Sequence, residues 1–257
     1  MAALRARTVL LTGSNRGLGL ELVRQLLGGP RPPAWIFATC RDPEGPRAQV
    51  SARLPLPPAP AEANVADPTA ITNAVKIVEA KLSGTGLNLL INNAGIYAPV
   101  TLDTVDSEEM IRAYKTNAVG PLLMAQAFLP LLKKAAREST DKGLSCSKAA
   151  IVNISTVMGS IERTAESFFK PVISYRCSKA ALNMLTKCQA LTYGETGILC
   201  VALHPGWVKT DMVSVCGYCP ADLTVDTSVR GMLSILPILS EKHSGSLLNW
   251  EGKVIPW

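Results

Sequence analysis

Short apolar runs alternate with amphipathic stretches along nearly the whole chain. Runs such as TVLL (8–11), LNLLI (87–91) and AAIVNI (149–154) have the length and apolar continuity of buried strands. The pattern predicts strands at 8–12, 35–39, 87–92, 149–154, 198–203 and 246–250. Between them, apolar positions recur at helical spacing over 17–28, 68–83, 107–116, 118–136, 174–193 and 226–240. DSEEM (106–110) reads as a helix start, with Asp106 or Ser107 able to cap and acids in the first turn. Alternating strands and helices predict an α/β fold, a doubly wound parallel sheet with helices on both faces. No internal repeat and no linker interrupts the pattern, so residues 1–257 read as one domain.

One stretch departs from it. RLPLPPAPAEANV (53–65) carries four prolines where a helix and a third strand belong. Proline removes a ladder donor and breaks helices. A short, irregular third strand is expected near 61–65, with 42–60 as a loop.

Composition narrows the class. The 257 residues are 47% hydrophobic, enough for a large core. No run approaches the ~18 uninterrupted apolar residues of a membrane span. The strand-like segment begins by residue 8, so no secretory leader is expected. Seven scattered cysteines, an odd number, fit free thiols in a reducing, cytoplasmic setting. Cys216 and Cys219 form a C-x-x-C, but a zinc site needs two more ligands and the chain has only His204 and His243. No metal is expected. The net charge is +6, and the first 53 residues hold eight arginines against Glu21, Asp42 and Glu44. No nucleic-acid recognition motif accompanies that excess, so neither nucleic acid nor membrane is expected as a partner.

The chemistry starts at TVLLTGSNRGLGLELVRQLL. An apolar strand passes into an amphipathic helix, and Gly13, Gly17 and Gly19 stand at the junction. Glycines there let the backbone turn tightly and approach a pyrophosphate, which the helix N-terminus attracts. Dinucleotide sites that prefer NAD place an acid at the end of the second strand, against the ribose 2′-hydroxyl. WIFATCRD ends that strand with Cys40 and Arg41, and Asp42 follows. Arg41, joined by Arg16 from the glycine turn, suits a 2′-phosphate, so NADP(H) is expected over NAD(H). Asp42 is the competing feature, should it point inward.

YRCSK (175–179) places Tyr175 four positions before Lys179, on one face of a helix. A cation within about 4–6 Å favours the ionised form of a phenol. That pairing suits a proton donor and acceptor at a carbonyl oxygen. Ser155 ends the strand before it, at the sheet edge where open α/β sheets bind ligands, and is a candidate to hold the same oxygen.

TGSNRGLG (12–19), NNAG (92–95), Asn117, Ser155, YRCSK and HPGWVKT (204–210) resemble, in type and order, the motifs of the short-chain dehydrogenase/reductase family. The likeness covers nearly the whole chain. TGSNRGLGLELV, ATCRD and LHPGWVKTDM look most like its carbonyl-reductase branch, which includes Sniffer and C-factor-like proteins. The resemblance implies a Rossmann-type fold and an NADPH-dependent carbonyl reductase acting on an aldehyde, ketone or quinone. It implies that Ser155, Tyr175, Lys179 and Asn117 are catalytic, with Tyr175 as acid/base, Lys179 also on the nicotinamide ribose and Asn117 holding a relay water. It implies cofactor contacts from Gly13, Asn15, Arg16, Gly17, Leu18, Gly19 and Arg41, and from Asn64 and Val65. Further contacts come from Asn93, Ala94, Gly95, Pro205, Gly206, Val208 and Thr210. Asn92 is implied to support the sheet, and His204 reads as structural because Tyr175 already fills the acid role.

The chain departs from the family in two places. Asn64 stands where the family usually has Asp against adenine, though an amide oxygen still accepts a hydrogen bond. Tyr175 follows Ser155 by 20 positions, longer than usual, and the gap contains Phe168 and Phe169, which line a pocket or pack on the surface. The segment 211–225 matches the variable substrate loop, and Met212, Val213, Val215 and Tyr218 suggest an apolar entrance. The helix at 118–136 is apolar over more surface than one sheet face needs. A partner subunit, in a homodimer, or burial under residues 137–148 explains the excess. The rival to a reductase is a protein that senses NADP(H) and acts through partners with little or no catalysis.

Overall fold

The computed structural model describes residues 4–42, 59–62, 64–167, 172–214 and 221–257. Eight strands form one sheet: β1 (Thr8–Thr12), β2 (Trp35–Cys40), β3 (Ala59–Glu62), β4 (Leu89–Asn92), β5 (Ala150–Ile154), β6 (Leu199–His204), β7 (Leu247–Asn249) and β8 (Val254–Ile255). Their order is β3-β2-β1-β4-β5-β6-β7-β8, parallel except for the last pair. The order reverses between β1 and β4, and that switch point opens a crevice beyond the strand C-termini.

Six longer helices are α1 (Gly17–Gly28), α2 (Pro68–Leu82), α3 (Ser107–Tyr114), α4 (Gly120–Glu138), α5 (Ile173–Tyr193) and α6 (Val225–Ile235). Strand alternation divides the core. Val9 and Leu11 of β1 pack with Leu22, Val23 and Leu26 of α1 and Met232 and Ile235 of α6. Leu10, between them, packs on the other face with Phe37, α2 and α4. Leu10, Leu11, Leu22 and Phe37 are fully buried, which stabilises the fold by about 1.5–3 kcal/mol per side chain.

The predicted elements form within a residue or two, with three exceptions and one addition. The third strand begins at Ala59 rather than 61, so 59 and 60 belong to the sheet. Pro60 is tolerated because β3 is the edge strand. The helices predicted at 107–116 and 118–136 join through a wide π turn, Lys115–Val119, and α4 runs on to Glu138. The last helix stops at Ile235 and passes into a 3-10 turn at Leu236–Ile238, where Pro237 cannot continue it. A two-residue antiparallel strand, β8, has no signature in the sequence pattern.

The apolar excess of α4 is largely used within the chain. Ile71, Ala74, Val78 and Leu82 of α2 share a core with Phe128, Leu131 and Leu132 of α4. Gly86 lies so close to α4 that a Cβ there would meet the Ala135 nitrogen at 2.2 Å.

Candidate active site

The glycine turn is held from three sides. Ser14 donates from both N–H and hydroxyl to the Thr39 carbonyl at 3.1 Å, tying the turn to the end of β2. The Thr12 hydroxyl accepts from the N–H groups of Asn93 and Ala94 at 3.0 Å. The Asn93 side-chain amide donates to the carbonyls of Thr12 and Gly13 at 3.0 and 3.1 Å. Gly13 has φ +66°, and a Cβ there would lie 2.9 Å from the Ala94 Cα. A side chain at Gly19 would lie 2.1 Å from the Gly13 oxygen. Only glycine permits this approach.

The turn ends in a helix start suited to an anion. Arg16 occupies the N-cap of α1 without a side-chain cap, and the first turn has no acid. Its amides and positive dipole end are therefore free for a phosphate. Arg16 reaches Asp211 at 3.7 Å across an exposed gap, a pair that a competing anion can replace. At the end of β2 Arg41 lines the cleft, whereas Asp42 is exposed and lies outside its lining. Asp42 therefore does not point inward to compete with a 2′-phosphate.

The cleft has a volume of about 600 Å³. Every catalytic and cofactor-binding candidate named from the sequence lines it except Asn117, which is fully buried behind its wall. Asn64 and Val65 stand on one side. Pro205, Gly206, Val208 and Thr210 stand opposite, where a bridge between Val208 and Leu223 pins the base of the variable loop. Of that loop, residues 215–220 lie outside the described residues, as do Phe168, Phe169, most of the 42–60 loop and both cysteines of the C-x-x-C. Among the described residues, no group of histidine, cysteine and acidic side chains could hold a metal.

Helix α5 supplies the centre of the site, and its buried face is mostly polar: Ser174, Arg176, Ser178, Lys179, Asn183, Thr186 and Gln189. The Lys179 ammonium, 4% exposed, donates to the Ile154 carbonyl at 2.7 Å. It stands 5.7 Å from the centre of the Tyr175 ring. Burial pulls its pKa down to about 8. The Ser155 hydroxyl, at the end of β5, donates to Asn183 Oδ1 at 2.6 Å.

Asn117 lies in the π turn, where the widened helix sets its side chain against the opposite loop. Its amide oxygen accepts from the Ile96 N–H, and its nitrogen donates to the Ile96 carbonyl and to Ser178 Oγ, each at 2.9 Å. A Cβ on Gly95 would sit 3.3 Å from Asn117 Oδ1 and 3.8 Å from Lys179 Nζ. Glycine keeps the space between them open. Asn92 donates to Asn153 at 2.9 Å and so bridges β4 and β5, the sheet support expected of it. His204 is held neutral at ordinary pH, because burial lowers its pKa to about 4.

Sequence reasoning missed two kinds of residue. Tyr97 stacks edge-on against Tyr175, with ring centres 5.4 Å apart, and lines the cleft with Met158 and Trp207. Nothing in the sequence pattern marked it. Asn183 could have been found, because it stands four positions after Lys179 and eight after Tyr175, on their helix face.

Comparison with known proteins agrees with this fold. Residues 7–217 match the family model described as short chain dehydrogenase. The fold superposes on an NADPH-bound carbonyl reductase from chicken fatty liver with a TM-score of 0.91. That protein is 54% identical, over 99% of this chain and 100% of the other. The carbonyl reductase Sniffer of D. melanogaster gives a TM-score of 0.90 and 37% identity, over 98% and 100%. The C-signal protein of Myxococcus xanthus is 35% identical over 172 residues, 66% of this chain and 93% of that protein.

Proposed function

The chain belongs to the short-chain dehydrogenase family, and from that premise we propose that it is an NADPH-dependent carbonyl reductase acting on small aldehydes, ketones or quinones. The observation that carries this reading is the Tyr175–Lys179 pair beside Ser155, in the same cleft as the glycine turn. The NADPH bound by the chicken-liver relative supports the choice of cofactor, as do Arg16 and Arg41. The glycine turn and the free end of α1 would hold the pyrophosphate. Arg16 and Arg41 would hold the 2′-phosphate, Asn64 and Val65 the adenine, and Thr210 the carboxamide.

When bound, the reduced nicotinamide supplies a hydride to the carbonyl carbon. Tyr175 gives its phenolic proton to the carbonyl oxygen, so that C=O becomes CH–OH, and it accepts that proton in reverse. The Lys179 cation stabilises the phenolate left behind. Ser155 holds the substrate oxygen, and the space kept open by Gly95 would admit the relay water between Lys179 and Asn117. Tyr97, Met158, Trp207 and Met212 make the substrate end largely apolar, which suits lipophilic carbonyl compounds.

We place the enzyme in the cytosol as a homodimer. Among the described residues Cys146, Cys177, Cys188 and Cys200 are free thiols, which suits a reducing compartment. The outer face of α5 carries exposed Cys177, Met184, Cys188 and Leu191, with Met184 66% and Leu191 69% exposed. Sedimentation of the parent and of a Met184→Glu/Leu191→Glu variant tests the dimer, which should dissociate in the variant.

The test of function follows absorbance of the reduced nicotinamide while carbonyl compounds are added with NADPH or NADH. Turnover with NADPH is expected. Tight NADPH binding with no turnover of any aldehyde, ketone or quinone would turn the reading toward an NADP(H) sensor.

A further inference from the structure

Helix α5 carries three polar side chains on one stripe, Tyr175, Lys179 and Asn183, at successive intervals of four. The first two have roles in the proposed reaction. Asn183 is 3% exposed and has two partners: its Nδ2 donates to the Gly159 carbonyl at 3.1 Å, and its Oδ1 accepts from Ser155 at 2.6 Å. We propose that Asn183 is a positioning residue that sets the direction of Ser155's hydroxyl proton, an inference that rests on the carbonyl-reductase reading.

The argument is one of donors and acceptors. A backbone carbonyl only accepts, so the Gly159 oxygen fixes which end of the amide is nitrogen. The oxygen end must then face Ser155. Ser155 has one proton, and Asn183 takes it. The lone pairs of Ser155 are left for its other neighbours, and Ser155 lines the cleft. Ser155 therefore meets a product hydroxyl as an acceptor. It meets a carbonyl oxygen as a donor only by turning away from Asn183. A free hydroxyl would rotate among three staggered positions; the buried amide holds it in one.

The frame around Asn183 is rigid. Gly159 lies so close to α5 that a Cβ on it would come 2.7 Å from the Lys179 carbonyl carbon. The turn Val157–Gly159, which follows Ser155, is thus clamped on the helix that carries Tyr175 and Lys179. Asn183 joins the end of β5 to that helix at the point where both proposed carbonyl contacts leave the backbone.

A double-mutant cycle on the full chain tests the assignment. Asn183→Leu releases the Ser155 proton to the cleft and is expected to raise kcat for carbonyl reduction about tenfold, the rate equivalent of one ordinary hydrogen bond, with NADPH affinity unchanged. In a Ser155→Ala background the same change should alter kcat less than twofold, because no hydroxyl remains to be directed. A residue that only supports the fold would cost as much in both backgrounds, and that result overturns the assignment. Asn183→Asp, which keeps an acceptor for the Ser155 proton in nearly the same shape, should leave kcat within about twofold of the parent background in both cases, so that the answer does not depend on one variant folding. Thermal unfolding of the same set reads the bond without catalysis. Less-than-additive shifts in Tm support the pairing and additive shifts remove it, even if the parent turns over no carbonyl and the reductase reading itself fails.

Discussion

The Lys179 ammonium stands 5.7 Å from the centre of the Tyr175 ring, and the two side chains leave one helix four positions apart. The ammonium is buried, so water screens little of its field at the phenol. A surface pair at the same spacing would act weakly. Burial is what turns a common i, i+4 pair into a chemical one.

Removing the phenolic proton should therefore remove the reaction and little else. Tyr175→Phe is expected to lower kcat by about 10²–10⁴-fold, the usual worth of a positioned acid. NADPH binding, followed by fluorescence titration, should stay within a few-fold of the parent. Residual activity above a tenth of the parent's would mean that another group delivers the proton.

The same burial makes a pH prediction with a definite sign. Lys179 has a folded pKa of about 8, below its ordinary 10.5. Below about pH 8 the group is charged in both states and its burial costs stability in full. Between 8 and 10.5 the unfolded chain holds the extra proton, so this group's contribution to stability rises with pH. Lys179→Met should melt higher than the parent at pH 7, and the gap should narrow between pH 8 and 10.5. A gap independent of pH would show that the ammonium is better solvated than its surroundings suggest. Carbonyl reduction should fall in the parent as pH passes 8, because the cation is lost.

Much of this was legible in the sequence because local pattern and tertiary need coincide. TVLLTGSNRGLG reads as strand, turn and helix, and it is strand, turn and helix. The prolines before Asn64 read as a break, and they mislead only at 59–60, since an edge position is not encoded locally. Helix α5 shows the limit more sharply. Its buried face is polar while Met184 and Leu191 face outward, so hydrophobic periodicity points to the wrong side. Ser155 and Asn183 are 28 positions apart and meet only because β5 and α5 pack. Tyr97 meets Tyr175 through a loop whose course no spacing rule gives.

Cofactor choice should turn on Arg41. It lines the cleft at the end of β2, and Arg16 lines the same cleft, paired with the exposed Asp211. Charge-assisted contacts to a phosphate contribute more than neutral ones. Arg41→Glu is expected to weaken NADPH binding by about 10–100-fold, the equivalent of one such contact, and NADH binding by less than threefold. Titration with both nucleotides reads the ratio. Equal losses for the two would assign Arg41 to the fold or to the pyrophosphate instead.

Two glycines at opposite ends of α1 should respond in opposite directions. A methyl group on Gly19 would come 2.1 Å from the Gly13 oxygen and 2.7 Å from the Asn93 amide. The first contact is backbone, so a rotamer change cannot relieve it, and the turn itself must shift. Such overpacking costs about 1–3 kcal/mol, and the displaced turn should also lose its grip on NADPH. Gly28, at the last position of the helix, meets nothing within 4 Å. There alanine reduces the freedom of the unfolded chain and favours the helix by up to about 1 kcal/mol. Urea unfolding should therefore place Gly19→Ala below the parent and Gly28→Ala at or above it, with only the first losing NADPH affinity. If Gly19→Ala unfolds and binds like the parent, the close approach of the two turn segments is absent in solution, and the phosphate cradle built on it goes with it.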